Sequence, residues 1–301
     1  MPELPDVELY LTHLKRRILG QALESARVAS PFVVRSFDPP LRTVEGKHVR
    51  GVQRIGKRIA IGLDDELWLI LHLMIAGRLR WRERDTKIPA KVGLAAFDFP
   101  TGTLLLTEAS TKKRASIHLV RGQASLRALD PGGLEPLDAD VDAFAATLRR
   151  ENHTAKRALT DPHLFSGIGN AYSDEILWLA RMSPMRLTCA MTDDDVARLH
   201  SATQATLRDW TERLVAEAGD EFPEKVTAFR EGMAVHGRYR KPCPNCGAPV
   251  QRIAYAENEA NYCARCQTGG KLLADRSLSR LMHGDWPKTL DELESRMRSR
   301  K

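Results

Sequence analysis

Two pairs of cysteines near the carboxyl end constrain the fold most strongly. Cys243 and Cys246 form one Cys-x-x-Cys pair, and sixteen residues separate it from a second pair, Cys263 and Cys266. This spacing suits tetrahedral binding of one Zn²⁺ by four thiolates, which leave no open position for a substrate. A disulfide framework is disfavoured, because the chain has only five cysteines and shows no signal-peptide pattern. We therefore predict a zinc ribbon with one structural ion, and Cys189 remains as a small side chain outside it.

Length and charge suggest a class of partner. A chain of 301 residues is long enough for about two domains. The 46 Lys and Arg residues exceed the 39 Asp and Glu residues, which favours a polyanionic partner such as nucleic acid. No apolar run approaches the roughly 20 residues of a membrane-spanning helix, so we expect a cytoplasmic protein without membrane contact.

Hydrophobic periodicity divides the chain into a β-rich half and a helical half. Residues 4–19 carry one apolar stripe and predict a helix that Gly20 ends. Short β-rich segments between turn signals then predict a β-sandwich, with strands at 43–52, 54–63, 67–74, 77–81, 94–99 and 104–107. After the break at residues 130–133, helices are predicted at 141–150, 155–159, 170–180 and 193–218.

The chain begins Met1-Pro2-Glu3, and these residues offer an amine and a carboxylate for covalent catalysis. A small second residue allows removal of the initiator methionine, so Pro2 would supply a secondary amine beside the carboxylate of Glu3. A neutral amine attacks an aldehyde-like carbon and forms an iminium. A frayed, solvated terminus is the ordinary alternative, and these three residues alone do not exclude it.

Five motifs together resemble one family. Residues 2–8 (PELPDVE) resemble the N-terminal signature of the formamidopyrimidine-DNA glycosylase and endonuclease VIII family, with Asp6 where glutamate is usual. Three further motifs follow in the family's order, at residues 54–58 (RIGKR), 72–79 (HLMIAGRL) and 167–175 (GIGNAYSDE). Residues 235–238 (VHGR) and the cysteine pairs complete the pattern.

The resemblance implies a fold and a reaction. The fold is α+β and multidomain: an N-terminal helix with a β-sandwich (1–132), a helical domain with a helix–two-turn–helix element (133–236), a zinc ribbon (237–267) and an extension (268–301). The implied enzyme excises oxidised or ring-opened bases from double-stranded DNA and cleaves the strand at the abasic site by β- and δ-elimination. We expect it to act as a monomer, with DNA in the cleft between domains. We also expect a bacterial-type cytoplasmic protein that associates with the nucleoid through its binding to DNA.

Site roles follow from the same resemblance. Pro2 is the implied nucleophile and Glu3 the general acid, while Lys57 contacts phosphate and lowers the pKa of the amine. Met74 fills the space of the extruded base, although a core methionine is the alternative. His72 and Arg78 are implied contacts on the phosphate side.

The glycines at 167 and 169 also have a direct interpretation. Two glycines before a helix expose N–H groups at its positive end, which is a ready anion site. We predict Asn170 at the N-cap, as a cap or a phosphate contact. Glu175 is predicted to orient neighbouring donors at this DNA-binding turn.

Three departures from the family bear on specificity. Residues 108–116 (EASTKKRAS) lack the family's aromatic wedge. Where members of the family have a phosphate-binding arginine in the ribbon, this chain has Asn258, beside acidic neighbours. Arg252 or Arg265 would therefore have to make that phosphate contact. Residues 222–234 are too few for an extended lesion-capping loop. A catalytically silent DNA-binding protein with the same scaffold therefore stays open as the alternative.

The extension after residue 267 is rich in apolar residues. Leu272, Leu273, Leu278, Leu281 and Met282 are predicted to pack back onto the helical domain or the ribbon, because exposed apolar surface favours aggregation. Partner binding is the alternative. Thr289 and Glu292 predict a capping box, followed by Leu290, Leu293 and Met297 at helical spacing.

Overall fold

The computed structural model describes residues 1–255, 258–273 and 287–298. The chain forms two compact units, described separately below. The first unit contains Met1–Gly133 and Arg208–Ala228, and the second contains Leu134–Leu207 and the described residues from Phe229 onward. No helix in the described residues is both long enough and apolar enough to span a membrane.

The first unit is led by the helix α1 (Leu4–Ile18), whose N-cap is Glu3. The predicted apolar stripe is confirmed, since its residues at positions 4, 7, 11, 14 and 18 are at most 2% exposed. Pro5 lies in the first turn, where backbone N–H groups have no acceptor within the helix, so the missing N–H of proline costs no hydrogen bond. The helix ends before Gly20, which has a φ of 77°. The amino terminus therefore lies on a packed element.

Two antiparallel sheets complete the first unit and confirm its predicted β-rich character. One sheet has the strand order β1-β3-β4-β5-β9 and the other β2-β7-β8-β6. The strands are β1 (Ala22–Leu23), β2 (Ser25–Val28), β3 (Lys47–Ile55), β4 (Arg58–Leu63), β5 (Leu67–His72), β6 (Gly77–Arg82), β7 (Gly93–Phe99), β8 (Gly102–Glu108) and β9 (Ser116–Arg121).

Several predicted boundaries were wrong, and one of them moves a site residue. The hairpin turns at Gly56-Lys57, so Lys57 lies in a two-residue loop and not on a strand. The loop escaped prediction because residues 54–63 read as one β-rich segment, and only the positive φ of Gly56 marks the turn. Strand β5 ends at His72, which leaves Met74 in a turn. The helix α2 (Gly122–Arg127) was missed because it is only six residues long.

The second unit is mainly helical, as predicted. Its helices, with α6 extending into the first unit, are α3 (Val141–Leu148), α4 (Ala155–Thr160), α5 (Asn170–Leu179), α6 (Asp193–Ala218), α7 (Ala264–Thr268) and α8 (Leu290–Arg298). Ile168, Tyr172 and Ile176, which follow each other at four-residue spacing just before and within α5, are at most 1% exposed. Leu179, the last residue of the helix, is 46% exposed.

The cysteine pairs flank a hairpin of β10 (Gln251–Tyr255) and β11 (Asn258–Tyr262). A buried cluster around them includes Cys243, Cys263 and Tyr262, together with Leu272 and Leu290 from the extension. Leu273 and Leu293 pack against the same cluster. The predicted packing of the extension onto the ribbon is therefore confirmed for these four leucines. The predictions for Leu278, Leu281 and Met282 concern residues outside the described ranges.

Backbone bonds also join the start of α8 to the residues that directly follow the ribbon. Leu290 N–H donates to Gly270 O at 2.9 Å, and Leu272 N–H donates to Lys288 O at 2.9 Å. The predicted cap is confirmed on one side, because Thr289 Oγ1 accepts from Glu292 N–H at 3.3 Å. The reciprocal bond differs from the prediction: Glu292 Oε2 accepts from Lys288 N–H, one residue before Thr289.

Shortening Leu290 is expected to destabilise the second unit. Leu290 is 2% exposed, and Leu290→Ala leaves a cavity in the cluster, which costs about 2–4 kcal/mol of unfolding free energy. Ser295→Ala, at an exposed position of the same helix, is the control and should change stability by less than about 0.5 kcal/mol. Urea unfolding followed by circular dichroism measures both. Equal stabilities of the two variants would contradict the assigned packing.

Candidate active site and metal centre

The amino terminus is held at the start of α1 by a reciprocal capping box. Asp6 Oδ2 accepts from the backbone N–H of Glu3 at 2.9 Å, and the Glu3 carboxylate faces the N–H of Asp6 in return. Pro2 is buried, and Glu3 and Asp6 are 3% and 1% exposed. The structure therefore places Glu3, the predicted acid, at the N-cap of α1 and Pro2, the predicted nucleophile, directly before it.

Charged groups of the first unit surround the terminal amine. Burial lowers the pKa of the amino group at Met1, Glu3 raises it, and Arg78 and Lys57 lower it. Glu3, Lys57 and Arg78 therefore all act electrostatically on the amino group at Met1. A lowered amine pKa increases the neutral fraction, which is the nucleophilic form.

The turn that carries Lys57 is fixed to α1 by an ion pair. Arg54 Nε donates to Glu8 Oε1 at 2.9 Å, and Arg54 Nη1 donates to Gly56 O at 3.0 Å. Burial lowers the pKa of Lys57, while Glu3 raises it. Sequence reasoning missed the positioning role of Glu8 and Arg54. Both residues lie in the recognised motifs, but nothing in the sequence pairs them.

The turn after β5 contains His72, Met74 and Arg78. Met74 is half-buried and has a φ of 51°, a strained left-handed conformation for a non-glycine residue. Gly77 closes the turn by donating its N–H to Leu73 O at 2.9 Å, and a Cβ at position 77 would lie 2.2 Å from that oxygen. Arg78 Nη1 donates to Gly77 O at 2.6 Å and to Ile75 O at 3.2 Å. The turn is therefore tight and held by its own backbone.

His72 is kept neutral by its surroundings. Burial, followed by the nearby Arg58, Lys57 and His118, lowers the pKa of His72 to about 4. At neutral pH the imidazole therefore offers a hydrogen bond and no positive charge. In the absence of a bound phosphate, His72 therefore offers an uncharged hydrogen bond for the predicted phosphate-side contact.

This shift predicts a pH dependence of stability. An unfolded histidine has a pKa near 6.5, so between about pH 4 and 6.5 the unfolded chain binds more protons than the folded one. The contribution of His72 is therefore complete above pH 6.5 and is lost as the pH falls towards 4. His72→Gln should flatten the fall of unfolding free energy over this window, measured by urea titrations at several pH values. An unchanged slope would contradict the assigned environment of His72.

In the second unit, the glycine-rich turn leads directly into α5. Asn170 is the first helical residue and Gly169 the N-cap, so the predicted N-cap position, Asn170, was one residue too late. Gly169 takes the cap because its φ of −132° is extended, whereas Asn170 already has helical geometry. Asn170 is half-exposed, and its carbonyl accepts from Lys156 Nζ at 3.0 Å.

Two acidic residues of α5 organise the segment that precedes the ribbon. Glu175 accepts from the backbone N–H groups of Ala234, Val235 and His236 at 2.7, 2.9 and 2.9 Å. Burial raises the pKa of Glu175, and these three donors oppose the rise. The carboxylate therefore orients the backbone, as the sequence predicted. Its place in DNA binding stays a prediction.

Asp174 is the centre of a buried network that the sequence did not reveal. Its side chain is 0% exposed; Oδ1 lies 2.5 Å from Lys156 Nζ and Oδ2 lies 2.8 Å from His236 Nδ1. Asn261 Nδ2 donates to Asp174 Oδ2 at 3.3 Å. Asp174 and His236 lie in recognised motifs, whereas nothing in the sequence marked Lys156.

The four predicted cysteines converge. Their sulfur atoms all lie within 4.8 Å of one another, with Cys243 and Cys266 3.9 Å apart and Cys246 and Cys263 3.4 Å apart. A tetrahedron with Zn–S bonds of about 2.3 Å separates its sulfurs by about 3.8 Å, so the donor set fits Zn²⁺. Burial raises the pKa of Cys263 and Cys266, whereas for Cys243 the N–H groups of Trp178, Asn245 and Cys246 outweigh burial and lower the pKa to about 7.

Comparison with known proteins places the chain in a family. Models of the formamidopyrimidine-DNA glycosylase N-terminal domain, of its H2TH domain, and of the zinc finger found in FPG and IleRS match residues 1–121, 133–214 and 240–269. The formamidopyrimidine-DNA glycosylase of Moorella thermoacetica is 32% identical over 84% of this chain and 94% of its own length. The chain belongs to the formamidopyrimidine-DNA glycosylase family. The resemblance inferred from the motifs is thus confirmed.

Other members of the formamidopyrimidine-DNA glycosylase family are also similar to this chain over most of its length. The enzyme of Chloroflexus aurantiacus is 31% identical over 89% of this chain and 98% of its own length. The wild-type Lactococcus lactis protein, solved in complex with a DNA that contains an oxidised pyrimidine, is 28% identical and has a TM-score of 0.78. That match covers 89% of this chain and 100% of the Lactococcus lactis chain. The predicted α+β fold with a sheet-rich N-terminal domain, an H2TH domain and a zinc finger is confirmed.

One loop of this formamidopyrimidine-DNA glycosylase family member has an unusual internal support. Glu108 is 2% exposed at the end of β8, and its carboxylate accepts from the N–H groups of Arg114 and Ala115 at 2.9 and 3.0 Å. Ser110 Oγ donates to the same carboxylate at 3.0 Å. A buried glutamate therefore shapes the loop that lacks an aromatic residue, and Lys112 and Lys113 are exposed on it.

The ribbon hairpin has an arginine engaged close to the acidic stretch. Arg252 Nη1 lies 3.3 Å from Glu259 Oε2, and its guanidinium stacks 4.7 Å from the centre of the Tyr239 ring. Arg252 is therefore already paired within the ribbon. The sequence predicts that Arg252 or Arg265 makes the phosphate contact of the family's arginine at position 258. For both residues this stays a prediction.

Proposed function

We propose that this protein removes oxidised or ring-opened bases from double-stranded DNA and then cleaves the strand at the abasic site. After removal of Met1, the Pro2 nitrogen attacks C1′ of the damaged nucleotide. The glycosidic bond breaks, and the base leaves with the proton of the attacking amine. Glu3 then donates a proton to the ring oxygen O4′, the C1′–O4′ bond breaks, and the opened sugar is held on Pro2 as an iminium. β- and δ-elimination break the 3′ and 5′ C–O bonds, and water hydrolyses the remaining imine and releases the enzyme.

One observation carries this proposal: Pro2 is buried directly before the N-cap of a packed helix, and Glu3 at that cap is 3% exposed. Burial lowers the pKa of the amino group at Met1, and Arg78 and Lys57 lower it further, while Glu3 and Asp6 raise it. Removal of Met1 would leave the new terminal amine on Pro2, next to Glu3. A terminus without a catalytic role has no need of this arrangement.

Duplex DNA with a damaged base is the proposed partner. The net charge of +7 favours a polyanion, and the related Lactococcus lactis protein has been solved with damaged DNA. The N–H groups at the start of α5 would bind a phosphate, and Met74 would fill the space that the extruded base leaves. The protein is proposed to act as a cytoplasmic monomer.

We further propose that the four cysteines hold one structural Zn²⁺. The sulfur separations suit a tetrahedral site, and four thiolates leave the ion no position for a substrate. When bound, the ion would contribute folding energy to the ribbon and no chemistry to the reaction.

Substrate choice is proposed to be broad. Without a long capping segment or an aromatic wedge, selection depends mainly on how easily a damaged pair opens. Ring-opened purines, oxidised pyrimidines and hydantoins are the expected substrates, with weak excision of 8-oxoguanine paired with cytosine. Single-turnover cleavage of matched duplexes, each with one lesion, tests this; fast and selective excision of 8-oxoguanine would contradict it.

Borohydride trapping on abasic-site DNA tests the reaction itself. Only an iminium is reduced to a stable crosslink, so a crosslinked species whose peptide maps to Pro2 is expected. Mass spectrometry of the intact protein confirms beforehand that Met1 is absent. Lys57→Ala is the matched control. If the crosslinked peptide of the wild-type protein maps to position 57, and the crosslink disappears in Lys57→Ala, the assignment of Pro2 as the nucleophile is overturned.

A catalytically silent DNA-binding protein is the second candidate. The Glu108 loop favours it, since exposed lysines there can hold DNA without any wedge that helps to extrude a base. Binding of abasic-site duplex without a crosslink, by protein that starts at Pro2, would establish this alternative.

A further inference from the structure

Four basic side chains meet at one corner of the five-stranded sheet of the first unit. Arg58 on β4 lies directly opposite His72 on β5, and His118 on β9 lies at the diagonal position from His72. Such residues project from the same face of a sheet, about 5 Å apart when opposite and about 7–8 Å apart on the diagonal. The N–H of Arg35 donates to Ile117 O at 2.8 Å, which places Arg35 along the edge strand β9. We call Arg35, Arg58, His72 and His118 the sheet corner.

The positive groups of the sheet corner act on one another. Burial lowers the pKa of His118, and Arg58 and Arg35 lower it further. Burial also lowers the pKa of His72, and Arg58, Lys57 and His118 add to that shift. The arginines therefore make it harder for the two histidines to take up a proton. An anion bound among these groups would relieve their mutual repulsion.

Hydrogen bonding within the sheet corner is also incomplete. Arg58 is half-buried, and its Nη1 donates to the carbonyl of Leu129. Its Nε is buried and has no hydrogen-bond partner within the described residues, and the same is true of His118 Nδ1. Asp130 raises the pKa of Arg58, which burial lowers, but Asp130 Oδ1 already accepts from the N–H of Gly132 at 3.0 Å. Arg58 Nε thus carries a proton to donate, and the described part of the chain supplies no acceptor for it.

A phosphate group matches this arrangement. An ionised phosphate presents acceptor oxygens, and guanidinium groups bind it through pairs of parallel hydrogen bonds. A phosphate inside a DNA strand carries one negative charge, whereas a terminal phosphate has a second pKa of about 6 and carries nearly two charges at neutral pH. A corner formed by two arginines and two histidines therefore favours the terminal group.

We propose that the sheet corner binds the terminal phosphate that strand cleavage leaves on DNA. β-Elimination breaks the 3′ C–O bond and leaves a 5′-phosphate on one fragment, and δ-elimination breaks the 5′ C–O bond and leaves a 3′-phosphate on the other. Neither terminal phosphate exists in the intact strand, so the corner distinguishes product from substrate. Lys57 acts electrostatically both on the amino group at Met1 and on His72, so the corner adjoins the proposed nucleophile. This inference rests on the proposed lyase reaction.

Equilibrium binding to three duplexes tests the proposal without any reaction. The first duplex has a one-nucleotide gap with phosphates at both ends, the second has the same gap with hydroxyl ends, and the third is intact and carries an uncleavable abasic-site analogue. The wild-type protein should bind the phosphate-ended gap about tenfold more tightly than the hydroxyl-ended gap, measured by fluorescence anisotropy in a buffer free of phosphate. Gaps with one phosphate then show which end the corner binds.

Arg58→Gln and Arg35→Gln each remove one charge from the sheet corner and should reduce the tenfold preference to about twofold. Arg35 is exposed, so its replacement keeps the test decisive if Arg58→Gln, which loses the bond to Leu129, lowers the Tm. Arg50→Gln is the matched control. Arg50 is exposed on β3 of the same sheet and pairs with Asp64 at 2.6 Å, and its replacement should leave the preference unchanged.

The outcomes separate this inference from the proposed function. A wild-type protein without preference for phosphate ends would overturn it, as would variants of the corner that keep the full preference. Equal losses of affinity for the intact duplex would assign the corner to an internal phosphodiester and would also overturn it. Cleavage of abasic-site DNA is measured separately: a wild-type protein that does not cleave refutes the proposed function, whereas one that cleaves without the preference refutes this inference alone.

Discussion

Replacing Glu3 by glutamine is expected to slow base excision by about a hundredfold to ten-thousandfold while the fold is retained. A glutamine oxygen can still face the N–H of Asp6 in the capping box, so the start of α1 keeps its geometry. The amide has no proton to donate to the sugar, and this loss should appear in the chemical step. Single-turnover excision of an oxidised pyrimidine measures the rate, and thermal melting measures the fold.

Asp6→Asn is the matched control for Glu3→Gln. Asp6 lies in the same capping box and is equally buried, but its carboxylate is engaged with the backbone N–H of Glu3 at 2.9 Å. The asparagine oxygen can accept the same bond, so excision should fall by less than about tenfold. If the two variants lose the same activity, the effect belongs to the cap, and Glu3 has no separate role as the acid.

Loss of the proposed zinc ion is expected to unfold the ribbon and expose its cluster. Zinc binding by four thiolates contributes on the order of 10 kcal/mol, which is comparable with the stability of a whole domain. Cys263 is 0% exposed and lies in a core with Tyr262, Leu272 and Leu290, so the metal and the extension stabilise the same cluster. Cys263→Ser should therefore lose the metal and the cooperative melting of this region.

Cys189→Ser is the control, because Cys189 is exposed and lies outside the four-cysteine cluster. It should keep one zinc per chain by atomic absorption and the Tm of the wild type. A Cys263→Ser protein with unchanged melting would contradict a structural metal site. The same result after exhaustive chelation of the wild-type protein would do so independently of any substitution.

The sequence predicted the elements well where periodicity was strong. The stripe of α1 and the buried face of α6, with Val196, Leu199 and Leu214, follow directly from residues spaced three and four apart. The four cysteines were predicted as a set because metal ligation fixes their spacing. These features depend on local order along the chain, which is visible without a structure.

What the sequence did not predict depends on contacts between distant residues. The turn that carries Lys57 was assigned to a strand, because Gly56 alone does not distinguish a turn from a strand glycine. The pairing of Arg54 with Glu8 joins residues 46 positions apart, and that of Asp174 with His236 joins residues 62 positions apart. Neither pair has a periodic signal.

The closed turn at Gly77 has a genetic consequence. Every amino acid other than glycine has a Cβ, and that atom would lie 2.2 Å from the carbonyl oxygen of Leu73. Each missense change in the Gly77 codon therefore forces the turn that carries Met74 to open. Ile75, two residues earlier, is 52% exposed and meets no such barrier. In a library of single-codon variants selected for repair, position 77 should be nearly invariant while position 75 varies freely.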